Sequence, residues 1–307
     1  MARLTTRRNR ILLGCDPIDM WGIRTASGTM DQAQTDHLID QLDAYPSHGV
    51  NALAVYYAGC SGGYYDPFSP DGETIDEGHA DRMRQIASAC EERDMVLVAG
   101  IFYQRAPLGL QDRGAMEAAV RSVTDSLRGC PNVIINIANE QNSKNWQRHA
   151  HIIDMREPEA ITALCGIVRE TDPDRIVGCG GYDHEKNIQI GLSDTVDMLL
   201  FDTCNDERSA KLHDRFVATG IEKPLVNVEL FDAWTKTETT GVYPEKMKAS
   251  FRREVEAAVA LTGLSVFFHS NSWCQDDGNR YDLAGQGAAS DPGIRWYFEH
   301  VAKAKGI

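Results

Sequence analysis

No stretch of this chain approaches the roughly 18–20 consecutive apolar residues that a membrane-spanning helix requires. Positive charge is also scarce: 31 Lys and Arg stand against 45 Asp and Glu, a net −14. A field of that sign repels phosphate, so neither nucleic acid nor an anionic membrane surface is expected as a partner, and a neutral ligand is favoured. The cysteines at 15, 60, 90, 130, 165, 179, 204 and 274 include no Cys-x-x-Cys pair, which argues against a zinc ribbon or a small disulfide framework. Most fall in apolar strand or helix patterns and read as buried, reduced thiols, pointing to a cytoplasmic location, or a secreted one if a signal peptide has been removed. The basic N-terminus, MARLTTRRNRILLGCD, has too short an apolar run at Ile11–Leu13 for a secretory signal. Walker A, Gly-x-Ser-x-Gly and His-Glu-x-x-His patterns are missing, and no cofactor is expected.

What the chain does have is one alternation carried along its whole length. Short β-rich runs at 11–16, 51–57, 95–103, 132–140, 176–182, 197–202, 224–230 and 264–271 alternate with segments of helical apolar spacing. The helix candidates lie near 31–46, 78–93, 112–129, 157–171, 184–192, 207–219, 244–262 and 291–304. Eight βα units in series imply parallel strands, because each helix carries the chain back to begin the next strand. Closing eight of them into a (β/α)8 TIM barrel leaves no exposed edge, and 307 residues suit such a barrel as a single catalytic domain. An open doubly wound sheet would need a glycine-rich turn after its first strand, and PIDMWGIRTASG is not one. Helix-to-strand turns are tight, whereas the loops after strands two, four, seven and eight are long. In this fold the loops after strand C-termini build the active site.

Two glutamates fall at strand ends. The fourth strand reads NVIINIANE, ending in Asn139-Glu140, and the seventh reads PLVNVELFD, with Glu229 near its end. Alternation puts Ile134, Asn136, Ala138 and Glu140 on one face. On the seventh strand it groups Leu225, Asn227 and Glu229, which are expected to face the barrel interior while Val226 and Val228 pack under the helices. An ionised carboxylate inside a barrel is expensive unless paired or used. Two of them facing each other across the mouth are what a glycosidase needs.

Asn-Glu ending strand four, Glu ending strand seven and an aromatic after strand eight (FFHSNSW, Trp273) resemble glycoside hydrolase clan A, the family 5 and cellulase-like (β/α)8 retaining enzymes. The resemblance covers the whole chain as architecture and a few residues as sequence. It implies a double displacement with Glu140 as general acid/base and Glu229 as nucleophile, and it makes Asn139 the asparagine that binds the 2-hydroxyl beside the reacting carbon. Departures are visible too. Gln141 follows Glu140 where family 5 usually has proline, strand three ends FYQR without the family histidine, and strand six ends at Asp202 instead of an aromatic.

A saccharide site also needs aromatic platforms for the sugar's CH faces. Trp273 is the first candidate, followed by Trp21, Tyr103, Tyr182 and Trp234. Arg24, Asp202, His269 and Asn271 are candidate hydroxyl or carboxylate partners, with His184 also near the rim. His149/His151 and the Asp276-Asp277-Gly278-Asn279 turn read as hydrophilic loops, not metal sites. Two other readings stay open: a metal-dependent sugar isomerase or aldolase using Glu140, Glu229, Asp202 and His269 as ligands, and a non-catalytic carbohydrate-binding barrel.

Overall fold

The computed structural model describes residues 3–60, 63–203, 208–230, 241–274 and 280–307. The chain opens with three short strands, β1 (Leu4–Arg7), β2 (Arg10–Leu13) and β3 (Asp16–Ile18), paired antiparallel as β1-β2-β3. Eight parallel strands then close into a barrel: β4 (Trp21–Arg24), β5 (Ala52–Tyr56), β6 (Val96–Phe102), β7 (Val133–Ala138), β8 (Val177–Cys179), β9 (Met198–Asp202), β10 (Leu225–Glu229) and β11 (Leu264–Phe268). Between them run α1 (Gln32–Gln41), α2 (Glu77–Glu91), α3 (Arg113–Ser126), α4 (Pro158–Thr171), α5 (His184–Leu192), α6 (Ser209–Ala218) and α7 (Glu245–Val259). The short α8 (Asn271–Cys274) and α9 (Arg295–Lys305) follow the last strand. This is the (β/α)8 barrel that the alternation predicts. No helix among the described residues is long and apolar enough to cross a membrane.

One strand differs from the sequence reading. Residues 10–13 form β2 of the small antiparallel sheet, and the barrel begins at Trp21. Leu4 and Ile11 of that sheet join Met20, Val96, Val226 and Phe267 in the apolar cluster inside the barrel, so the sheet caps the barrel and shares its core.

Several loops hand over to helices through acidic N-caps: Asp31, Asp76, Asp112 and Asp183 each accept a bond from a backbone N–H in the first turn. Strands β5, β6 and β7 are buried along their whole length, as expected of a parallel sheet packed on both faces. Gly100 on β6 is required by this packing, since a Cβ there would fall 2.1 Å from the Tyr56 ring.

The faces of the seventh barrel strand, β10, also differ from expectation. Val226 and Val228 join the cluster inside the barrel, while Leu225 packs with the helical shell. Asn227 bonds outward, donating to Ser209 Oγ at the start of α6 (2.8 Å) and to Thr203 Oγ1 (3.0 Å). The pairing of β10 with β9 then shifts register between Asn227 and Glu229. An irregularity of this kind re-aims a side chain, and it turns Glu229 into the mouth although simple alternation from Val228 would turn it out.

Candidate active site

The C-terminal ends of β4, β7, β9, β10 and β11 bring together one set of charged groups. Glu140, Asp202 and Glu229 each present a carboxylate oxygen, and these oxygens lie within 4.8 Å of one another. Asp202 and Glu229 are partners in the β9–β10 register, so their side chains rise side by side, and Glu140 comes from the loop just beyond β7. Arg24 ends β4, with Nη1 3.0 Å from Glu229 Oε1. His269 follows β11, with Nδ1 2.5 Å from the same oxygen.

Arg24 is fully buried and does more than pair with Glu229. Its Nη2 donates to Tyr103 Oη (2.9 Å) and to Asn139 Oδ1 (2.8 Å), and its guanidinium lies 5.2 Å from the Tyr56 ring centre. Tyr56 Oη also donates to Asn139 Oδ1, and Asn136 Nδ2 donates to Tyr56 Oη. Gln104 completes the layer: Asn139 Nδ2 donates to its Oε1 (2.9 Å), and its Nε2 donates to Glu140 Oε2 (2.5 Å).

Glu140 sits in a left-handed backbone conformation, φ 43°, which is uncommon for a residue with a Cβ and is characteristic of functional sites. Neighbouring bonds hold it there. Trp146 Nε1 donates to the carbonyls of Asn139 and Glu140 (3.1 Å each), Ser143 N–H donates to the Glu140 carbonyl, and Gln141 N–H donates to that of Gly180.

The two glutamates are driven in opposite directions. Burial, and next the charge of Glu229, push Glu140 up to about 8. Burial also opposes ionisation of Glu229, but Arg24 and His269 more than offset it and hold this carboxyl down at about 2. Asp202 is raised well above the usual carboxylate range, by burial first and then by Glu229 and Glu140. Carboxyls whose environments push them apart are the signature of separate acid and base roles.

Of the residues singled out in the sequence, Glu140, Glu229, Asn139, Arg24, Tyr103, Asp202 and His269 thus meet in one place. Trp21 begins β4, at the opposite end of the barrel from the carboxylates. Trp273 is 2% exposed; its indole donates to the Asp282 carbonyl (2.8 Å), and Arg280 lies 4.3 Å from its ring centre. Tyr182 follows β8, with its N–H bonded to Asn142 Oδ1. His184 opens α5 and contacts Asn187 Nδ2 and the Phe216 ring. The side chain of Asn271, the whole of Trp234 and the 276–279 turn lie outside the described residues. Gln104, Tyr56 and Trp146 complete the arrangement and were missed by the sequence reading. The signal for them is positional: Gln104 lies just beyond the third barrel strand, where family 5 has a histidine, and Trp146 lies six residues past Glu140.

Fold and site together define a (β/α)8 barrel with a carboxylate cluster at its C-terminal mouth. The fold is that of the family 5 glycoside hydrolases. It superposes on the endo-1,4-beta-mannanase from Rhizomucor miehei with a TM-score of 0.68 over 99% of each chain, at 12% identity. For the beta-1,4-D-mannanase from Cryptopygus antarcticus the values are 0.64 over 96% of this chain and 98% of that one, at 13% identity. For a glycoside hydrolase family 5 protein from Bacteroides vulgatus they are 0.66 over 98% and 68%, at 14% identity. At such identities the likeness is one of fold. No protein-family model and no curated protein sequence matches the chain.

Proposed function

We propose that the protein is a retaining glycoside hydrolase in which Glu140 is the general acid/base and Glu229 the nucleophile. The observation that carries this reading is the pairing of a raised and a depressed carboxyl whose oxygens lie within 4.8 Å of each other. Retaining enzymes hold the two groups about 5–5.5 Å apart, and inverting ones need roughly 6.5–9.5 Å to admit a water. In the first step a Glu229 oxygen attacks the anomeric carbon, the bond to the leaving oxygen breaks, and the Glu140 proton passes to that oxygen. In the second, water attacks the same carbon, the bond to Glu229 breaks, and the water's proton returns to Glu140. Arg24 and His269 keep Glu229 ionised for attack, and Asn139, fixed by Arg24, Tyr56 and Gln104, binds a hydroxyl beside the reacting carbon. Tyr103 forms an aromatic wall of the same pocket, in one catalytic domain. The β-1,4-mannanases among the structural neighbours make a β-linked mannoside the first substrate to try.

The test is a panel of nitrophenyl glycosides and β-1,4-linked oligosaccharides. Turnover by the wild type, lost in Glu229→Ala and restored by azide as a glycosyl azide of inverted configuration, supports the assignment. Undiminished activity of Glu229→Ala on any substrate, or of Glu140→Gln on the oligosaccharides, whose leaving groups need a proton, removes it.

A metal-dependent reaction is the second reading, favoured by the convergence of three carboxylate oxygens on one point. Arg24 already supplies a cation 3.0 Å from Glu229, which a divalent ion at that point would have to tolerate. Activity abolished by a chelator and restored by a divalent ion would establish it; indifference to chelator would eliminate it.

A further inference from the structure

We propose that Asp202 is a specificity-determining residue that accepts a hydrogen bond from a ring hydroxyl of the sugar in the reacting subsite. This inference rests on the glycosidase reading and goes beyond it, because double displacement by Glu140 and Glu229 does not require a third carboxyl. Asp202 is 1% exposed, and among the described residues neither of its carboxyl oxygens has a hydrogen-bond partner. Its backbone is engaged, with the N–H on the Gly181 carbonyl, so the side chain is what is left over. Among the described residues the one buried guanidinium close by, Arg24, is committed to Glu229, Tyr103 and Asn139.

A buried polar group without a partner destabilises a fold by roughly 1–3 kcal/mol, more if charged, and native proteins keep such groups where function uses them. Position says what kind of partner is missing. An Asp202 oxygen lies within 4.8 Å of oxygens from both Glu140 and Glu229, so the missing group belongs to the part of the ligand held between those two carboxyls. It must donate a hydrogen bond to fill the acceptor sites of Asp202. On a neutral sugar a ring hydroxyl does this. Burial favours the neutral acid at Asp202, which can also return an O–H bond to that hydroxyl. Because the contact is adjacent to the reacting carbon, it tightens or loosens as the ring distorts and so bears on kcat as well as KM.

The experiment compares wild type, Asp202→Ala and Asp202→Asn on the best nitrophenyl glycoside of the panel and on its monodeoxy analogues. Binding of the corresponding free sugar is followed by titration calorimetry. Asp202→Ala is expected to lower kcat/KM about 10-fold or more on the parent glycoside, the scale of one buried hydrogen bond, with Asp202→Asn recovering part of the loss. On one deoxy analogue, and only one, wild type and Asp202→Ala should differ by less than about 3-fold, because the hydroxyl that Asp202 holds is already gone. An equal loss on every analogue would mean a structural role and overturn the proposal. So would wild-type activity in Asp202→Ala, with the glycosidase reading left standing. A 2-amino-sugar bound more tightly than its hydroxyl counterpart, in an Asp202-dependent way, would overturn it in favour of an ammonium ligand. Sugar binding that depends on Asp202 without turnover by the wild type would retain the contact and remove the glycosidase reading. Neither binding nor turnover of any sugar would remove both.

Discussion

Arg24 and Glu229 form an ion pair, 3.0 Å between Nη1 and Oε1, with the side chains 0% and 4% exposed. It joins the first and seventh strands of the barrel across its mouth. Arg24 also grips Asn139 and Tyr103, so one guanidinium sets the charge of the proposed nucleophile and the orientation of the asparagine preceding the proposed acid. Position, charge and packing of the site therefore share a single side chain.

Removing that side chain isolates a buried carboxylate. Arg24→Leu should lose about 3–5 kcal/mol of unfolding free energy, the usual result of breaking a buried pair on one side, and at least ~100-fold in kcat/KM. Without Arg24 the Glu229 carboxyl moves up from about 2, so the acidic limb of any residual activity moves to higher pH. Denaturant melts and a pH profile of the variant read both effects. An unshifted acidic limb would show that Arg24 is not what holds Glu229 ionised.

The proposed roles of the two carboxyls fix a pH response for the wild type. As nucleophile Glu229 has to be ionised, so kcat/KM is expected to fall as pH drops through about 2. As acid Glu140 has to be protonated, so kcat/KM is expected to fall as pH rises through about 8. With a dinitrophenyl glycoside, whose leaving group needs no protonation, Glu140→Gln should retain the acidic limb and lose the alkaline one. Persistence of the alkaline limb in that variant would assign it to another group.

Much of this was legible in the sequence, and the failures have physical causes. Asn139-Glu140 stood out because a charged residue ends an otherwise apolar strand. Glu229 carries the same signal, but its route into the mouth does not follow from alternation: a shift in strand pairing leaves no mark in a two-residue period. The first barrel strand was misplaced because residues 10–13 carry the same short apolar pattern as a barrel strand. The true one, Trp-Gly-Ile-Arg, hides behind a glycine and a buried charge. Gln104, Tyr56 and Trp146 escaped notice because neutral side chains in a hydrogen-bond layer produce no charge anomaly and follow no spacing rule.

Linkage gives a prediction independent of catalysis. From its ordinary value of 4.5 up to about 8, the folded protein keeps a proton on Glu140 that the unfolded chain has released, so this residue makes stability fall as pH rises through that window. Glu140→Gln removes the dependence. The Tm of Glu140→Gln relative to wild type should therefore be higher at pH 8 than at pH 4, measured by calorimetry in both buffers. A Tm difference that does not change with pH would mean that the environment of Glu140 does not favour its protonated form.

Gly100 tests whether the polar layer depends on the packing below it. A Cβ at this position would meet Tyr56 Cδ1 at 2.1 Å, on a ring that is 1% exposed. Gly100→Ala is thus an overpacking change, expected to destabilise by about 1–3 kcal/mol. It also displaces a hydroxyl that donates to Asn139 and accepts from Asn136, so kcat/KM should fall by roughly 10-fold or more even though residue 100 touches no substrate, the loss of about one hydrogen bond. Tyr56→Phe keeps the ring and removes only the hydroxyl, so it should reproduce the kinetic loss with a smaller change in stability. If Gly100→Ala melts early yet hydrolyses at the wild-type rate below its transition, the Tyr56–Asn139 bond has no part in holding the site.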